Sequence, residues 1–132
     1  MKTHNIIINT KTKKYSIIIG SNLINNISKV LYKQNFHFKK CLIVVDKNIP
    51  KKIKSILIKK LKSKIKKIII YQFIANEKNK NYYNVDKIHN VLFKERFNRE
   101  DCVISFGGGI TGDVVGFASS IYKIRTWCRK TN

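Results

Sequence analysis

Acidic residues are scarce in this chain. Its 132 residues hold 28 Lys and Arg against 7 Asp and Glu, a formal charge of +21. It has one proline, one tryptophan, three cysteines and six glycines. Apolar runs such as Ile68 to Tyr71 fall far short of the roughly 20 residues that a membrane-spanning helix needs. The N-terminus carries no apolar signal core. Cys41, Cys102 and Cys128 are far apart, without a Cys-x-x-Cys pair, which argues against a zinc ribbon or a dithiol redox motif. An odd cysteine count without a leader fits a reducing cytoplasm. Cys41 and Cys102 fall at strand starts, where thiols act as small core hydrophobes. His4, His37 and His89 lie on separate elements, so no convergent metal site is expected from them.

A balance of +21 ordinarily points to nucleic acid. The composition offers another source. Ile (23), Lys (24) and Asn (14), all with A/T-rich codons, make up nearly half the chain, and Arg is only 4. A surface selected for phosphate would favour Arg for its bidentate geometry. The lysines are also spread through strands, helices and loops alike. The charge therefore reads as base bias, and no specific nucleic-acid partner is expected. A basic nucleic-acid-binding module, with Tyr82 and Tyr83 as stacking residues, stands as the alternative from a different class.

Five of the six glycines fall between positions 107 and 116. Before them, Cys102 to Phe106 is a short apolar run of the kind buried on both faces of a parallel sheet. Gly107, Gly108 and Gly109 form a turn that allows positive φ and close approach of a ligand. A helix is expected to open near Thr111, where unpartnered amides and the helix dipole suit a pyrophosphate. Gly107-x-Gly109-x-x-Gly112 matches the dinucleotide fingerprint formally. An ordinary Rossmann unit needs that turn first in the fold and an acid about 20 residues on. Both conditions fail here. Asp113, placed in the first helical turn, would repel a phosphate and is better suited to a hydroxyl or to orienting the turn. The bland alternative is a strand-to-helix turn without a ligand, at a large entropic cost for so many glycines.

The rest of the chain alternates. Asn5 to Ile8 and Tyr15 to Ile19 read as a hairpin. A helix with Leu23, Ile27, Val30 and Leu31 inward follows, then the buried strand Lys40 to Asp46. Pro50 opens a helix with the stripe Ile53, Ile56, Leu57 and Leu61. Lys67 to Ile74 is the next strand, and the polar loop Asn76 to Asn81 reads equally as a solvated or a site loop. Asn84 is placed to cap a helix with Val85, Ile88, Val91 and Leu92 inward. The expected fold is α/β: an N-terminal β-hairpin plus a doubly wound, mostly parallel sheet, incomplete at the C-terminus. Ligands of such sheets bind at the carboxyl ends of the strands. Asp46, Glu77 and Gly107 each sit just past such an end. Residues 124–132, around Trp127, read as neither strand nor helix, so Val114, Phe117 and Ile121 of the last helix are expected to be partly uncovered.

The run Gly107 to Asp113, then Gly116-Phe117-Ala118 and Tyr122, resembles the glycine turn and following helix of 3-dehydroquinate synthases. Asp46-Lys47-Asn48 is similar to that family's Asp-x-Asn after an earlier strand. Glu77-Lys78-Asn79-Lys80 is similar to its Gly-Glu-x-x-Lys, with Asn76 in place of the glycine. Asn tolerates positive φ, so the turn is expected to survive. The resemblance runs to about Lys123 and makes residues 1–123 part of an NAD-binding domain, with 124–132 a divergent basic tail. Related sugar-phosphate cyclases share the turn. The resemblance implies NAD as cofactor, with Asp46 and Asn48 toward its adenosine. Glu77 and Lys80 would lie at a ribose, Gly108, Gly109, Ile110, Thr111 and Gly112 around the pyrophosphate, and Asp113 near the nicotinamide ribose. It also implies a cytoplasmic, homodimeric lyase of the shikimate route to chorismate and the aromatic amino acids. That enzyme acts on a seven-carbon phosphorylated keto-acid with a divalent metal, Zn or Co. The metal ligands, the bases for the substrate phosphate and the helical C-terminal domain have no counterpart here. The chain is therefore expected to be catalytically silent by itself.

Overall fold

The computed structural model describes residues 3–130. Two strands, β1 (Thr3–Asn9) and β2 (Lys14–Gly20), pair antiparallel as a separate two-stranded sheet. A 3-10 turn at Leu23–Asn26 leads into α1 (Ile27–Lys33). Then come β3 (Lys40–Asp46), α2 (Lys51–Lys62), β4 (Lys67–Phe73), α3 (Tyr82–Lys94), β5 (Cys102–Gly107), α4 (Gly109–Tyr122) and β6 (Arg125–Lys130). Strands β3 to β6 form one parallel sheet in the order β4-β3-β5-β6.

The continuous apolar runs of β3 and β5 are explained by cover on both faces. Ile43, Val45, Ile104 and Phe106 pack on one side with Ile27 and Leu31 of α1 and Leu57 and Leu61 of α2. Leu42, Val44 and Val103 pack on the other with Ile88 and Leu92 of α3 and Val115 and Ala118 of α4. The strand order places β3 between its two successors. The chain leaves β3 for a helix on one face and leaves β5 for a helix on the other. Their carboxyl ends therefore part at a topological switch point, where such sheets keep their crevice.

Three local expectations are corrected. Asn81, not Asn84, caps α3: its side chain accepts from the Asn84 amide at 3.0 Å. α4 opens at Gly109, two residues before Thr111, which moves Asp113 out of its first turn. A strand does follow α4, and β6 pairs along β5 from Cys102↔Arg125 to Gly107↔Lys130. Parallel pairing satisfies backbone groups whatever the side-chain pattern, so a basic segment without clear alternation can still complete a ladder. Val114 is buried, while Phe117 and Ile121 remain 45% and 54% exposed.

Cys41 and Cys102 are neighbours in the β3–β5 register and fully buried. Burial, and then contact with Cys102, pushes the Cys41 thiol well above the usual range. It stays protonated and inert, as a core thiol should.

Candidate functional site at the carboxyl edge

Asp46, Glu77 and the glycine turn come together on one edge of the sheet. Asp46 ends β3, Phe73 ends β4 directly beside it, and Gly107 ends β5 on its other flank. The Asp46 carboxylate accepts the Asn48 amide at 3.0 Å, and the Asp46 carbonyl accepts from Ile49 at 3.1 Å. This tight turn keeps Asp46 half-buried at the crevice and leaves Asn48 exposed.

The segment after β4 is an ordered loop built by asparagine side chains. Asn76 Oδ1 accepts the Asn79 amide at 2.9 Å and so caps the short 3-10 turn Glu77–Asn79. Asn79 Nδ2 donates to the Ile74 carbonyl at 2.8 Å, and Asn84 Nδ2 donates to the Asn79 carbonyl at 3.0 Å. Short amide side chains suit this work because they bond backbone groups two to five residues away. Asn76 itself is extended, at φ −149 and ψ 165. The expected positive φ is absent. The motif glycine is replaceable here because the conformation suits any residue and the asparagine adds a cap.

The loop sets Lys80 against α4. Its ammonium lies 2.9 Å from Asp113 Oδ2. The hydrogen bond and charge of Asp113, with a smaller contribution from Glu77, raise the Lys80 pKa. The two motifs were legible separately in the sequence, but not their contact. This pairing also answers the electrostatic objection to Asp113, because an ammonium offsets its charge beside an anionic ligand. Since Lys80 is raised, its contribution is present at neutral pH and is lost as pH climbs through that raised value. Asp113→Asn is accordingly expected to move the Lys80 titration back toward the ordinary lysine range. It should leave the slope of stability with pH unchanged through neutrality. NMR of reductively methylated lysines and thermal melts at several pH values measure both.

The glycines divide into two kinds. Among the described residues no glycine takes a positive φ, contrary to the expectation for the turn. A Cβ on Gly107 would lie 2.6 Å from Thr111 Oγ1, 2.9 Å from Thr111 Cβ and 3.1 Å from Asp46 Cβ. Gly107 is thus a packing requirement that lets α4 sit close on β5. Gly108, Gly109 and Gly112 have nothing within 4 Å of where a Cβ would stand. They leave an open cradle at the head of a fourteen-residue helix, where the first amides have no helical acceptor. That arrangement fits a pyrophosphate. Thr111, also in the first turn, is fully buried, and among the described residues its hydroxyl has no hydrogen-bond partner. A cavity of about 960 Å³ lies at the opposite, amino-terminal edge of the sheet, beside residues such as Tyr32, Phe36, Leu61 and Asp101. It holds none of the motif residues, so the convergence of those residues, not cavity size, marks the site.

A metal does not fit in the same way. Among the described residues no group of three His, Cys, Asp or Glu could hold an ion. His89 Nε2 is engaged with the Ala118 carbonyl at 2.8 Å, and His37 packs edge-on against Tyr32.

Comparison with solved structures identifies the architecture first. Two crystal structures of 2-deoxy-scyllo-inosose synthase share this fold over 97% of the chain, at TM-scores of 0.82 and 0.80 and 18% and 17% identity. The chain covers 36% and 35% of them, and the second was solved with carbaglucose-6-phosphate, NAD+ and Co2+. The sequence is more specific. Residues 70–126 match the family model described as 3-dehydroquinate synthase N-terminal. The 3-dehydroquinate synthase of Pelagibacter ubique (strain HTCC1062) is 47% identical over 116 residues, 88% of this chain and 31% of the relative. By sequence the chain is similar to the N-terminal part of 3-dehydroquinate synthases. It spans about a third of the length of the curated relatives it matches.

Proposed function

We propose that this chain forms the dinucleotide-binding part of a 3-dehydroquinate synthase. That enzyme converts 3-deoxy-arabino-heptulosonate 7-phosphate to 3-dehydroquinate and phosphate. One observation carries the reading: the open glycine cradle, Asp46, and the Glu77–Lys80–Asp113 group share the carboxyl edge of three neighbouring strands. Gly108 to Gly112 and the first amides of α4 hold the pyrophosphate. Asp46 and Asn48 receive the adenosine side, and Glu77 and Lys80 a ribose with its neighbouring groups. Asp113, its charge offset by Lys80, accepts a hydroxyl of the nicotinamide ribose. NAD bound in this way would take up a hydride from a substrate alcohol and return it later in the cycle. The domain reading belongs to the same proposal: residues 1–123 form the partial NAD-binding domain. So do a cytoplasmic location, a homodimeric state and a place in aromatic amino acid biosynthesis.

Substrate chemistry needs a metal and bases for the phosphate, and the described residues offer no metal cluster. The chain alone, supplied with NAD, cobalt or zinc and substrate, is therefore expected to release no phosphate above a metal-free blank. A chimera in which this chain replaces the matching third of the Pelagibacter ubique relative is expected to restore phosphate release. A chimera that folds and binds NAD but stays silent toward the seven-carbon substrate would refute the proposed activity.

A further inference from the structure

The sheet has a second opening at its amino-terminal edge, away from the dinucleotide crevice. The loops that enter β3, β4 and β5 part there and leave the cavity of about 960 Å³. That volume lies within the roughly 300–1,000 Å³ of small-molecule sites. Its floor is apolar. Leu31, Leu61 and Ile65 are buried, and Phe36 and Phe38 are half-buried against the same core. At its mouth Tyr32, 71% exposed, meets the His37 ring edge-on at 5.4 Å.

Both walls are fixed by bonds within the chain. On one side α1 ends in a left-handed turn. Asn35 takes φ 55, its amide donates to the Tyr32 carbonyl at 3.0 Å, and the Phe36 amide reaches back to the Leu31 carbonyl at 3.0 Å. Asn is the residue besides glycine that such a helix end accepts. The reversal brings Phe36 and Phe38 under the cavity. On the other side Asn98 and Asp101 bond each other reciprocally. The Asn98 amide donates to Asp101 Oδ2 at 2.8 Å, and the Asp101 amide donates to the Asn98 carbonyl at 3.1 Å. The turn between them carries the exposed Arg99 on the rim.

We infer that this cavity binds a small planar aromatic carboxylate. The inference does not rest on the dinucleotide site. A polar ligand gains little from a floor of leucine, isoleucine and phenylalanine. An aromatic ring is removed from water there, against the rings of Phe36 and Tyr32. Charge sets the other half of the ligand. Lys29, Lys33, Lys39, Lys64 and Arg99 line the cavity against Glu100 and Asp101, and Asp101 already pairs with Lys40 at 3.5 Å. Of these cations only Arg99 has the planar fork that takes a carboxylate through two parallel hydrogen bonds. Arginine is also scarce, 4 residues against 24 lysines. Charge by itself selects no place on so basic a chain. The apolar floor beneath Arg99 does.

Calorimetric and NMR titration of the whole chain with 2-naphthoate tests the inference. One saturable site is expected, with amide shifts in residues 36–39 and 98–101 and none in 107–113. The neutral analogue 2-naphthylmethanol should bind at least about tenfold more weakly, a difference of about 1.4 kcal/mol. Arg99→Ala should lower naphthoate affinity by a similar factor with an unchanged circular dichroism spectrum. Arg99→Lys should keep only part of the affinity, because the fork is lost. Tyr32→Ala, at an exposed position, should weaken both compounds alike. Lys52→Ala removes one positive charge near the other end of α2 and should change neither affinity. Absence of saturable binding at millimolar naphthoate would overturn the inference. So would equal affinity for the neutral analogue, equal losses in Arg99→Ala and Lys52→Ala, or shifts confined to the glycine turn.

Discussion

Gly109→Leu and Gly112→Leu are each expected to abolish NAD binding without unfolding the domain. Apart from its chain neighbours and the backbone of its own helix, neither position has an atom within 4 Å of where a Cβ would stand, so a leucine enters open space and not a packed neighbour. Both lie within α4, where leucine is a better helix former than glycine by up to about 1 kcal/mol. Stability should hold or rise. The added side chain instead occupies the cradle through which a pyrophosphate would approach the first amides of the helix. Isothermal titration with NAD should show no saturable heat, and the melting temperature should match or exceed that of the unaltered chain. Retained affinity in both variants would show that the cradle is not the dinucleotide site.

Gly107→Ala should do the reverse. Its methyl group would meet Thr111 Oγ1 at 2.6 Å and Asp46 Cβ at 3.1 Å, in a fully packed position. Overpacking of this kind costs about 1–3 kcal/mol, against a total stability of about 5–15 kcal/mol for a typical domain. The neighbours cannot yield cheaply. Thr111 is held on a helix already seated on β5, and Asp46 ends the central strand of the three that form the crevice edge. A lowered denaturation midpoint with an unchanged denaturant slope would mark lost stability without a change of fold. Restoring room with Gly107→Ala, Thr111→Ala should recover part of the loss by removing Thr111 Oγ1, the nearest of the clashing atoms. A Gly107→Ala variant as stable as the parent would mean that α4 does not sit as close on β5 as the structure places it.

These glycines show how far the sequence carries. Clustered glycines after an apolar run announce a strand, a turn and a helix, because each is a local signal of burial, backbone freedom or periodicity. They do not announce their division of labour. A glycine that avoids a clash and a glycine that leaves a space read identically in one dimension, since neither has a side chain to betray its surroundings. The expected positive φ failed for the same reason: the turn needed the absence of a Cβ, not a left-handed backbone.

The order of strands and helices as far as α4, the two-sided burial of β3 and β5, and the family motifs at Asp46, Glu77 and Gly107 to Asp113 were all determined by the sequence itself. They follow from short-range periodicity and from chemistry carried by a few adjacent residues. Three things were decided only by the tertiary structure. The order β4-β3-β5-β6 opens the crevice beside Asp46 and Gly107. The Lys80–Asp113 pair joins groups 33 positions apart. The ladder of β6 on β5 turns a basic stretch into a strand, with Ile124 buried just before it. Each depends on groups remote in the chain meeting across a packed core. Their energies come from that meeting, and a linear pattern carries no record of it.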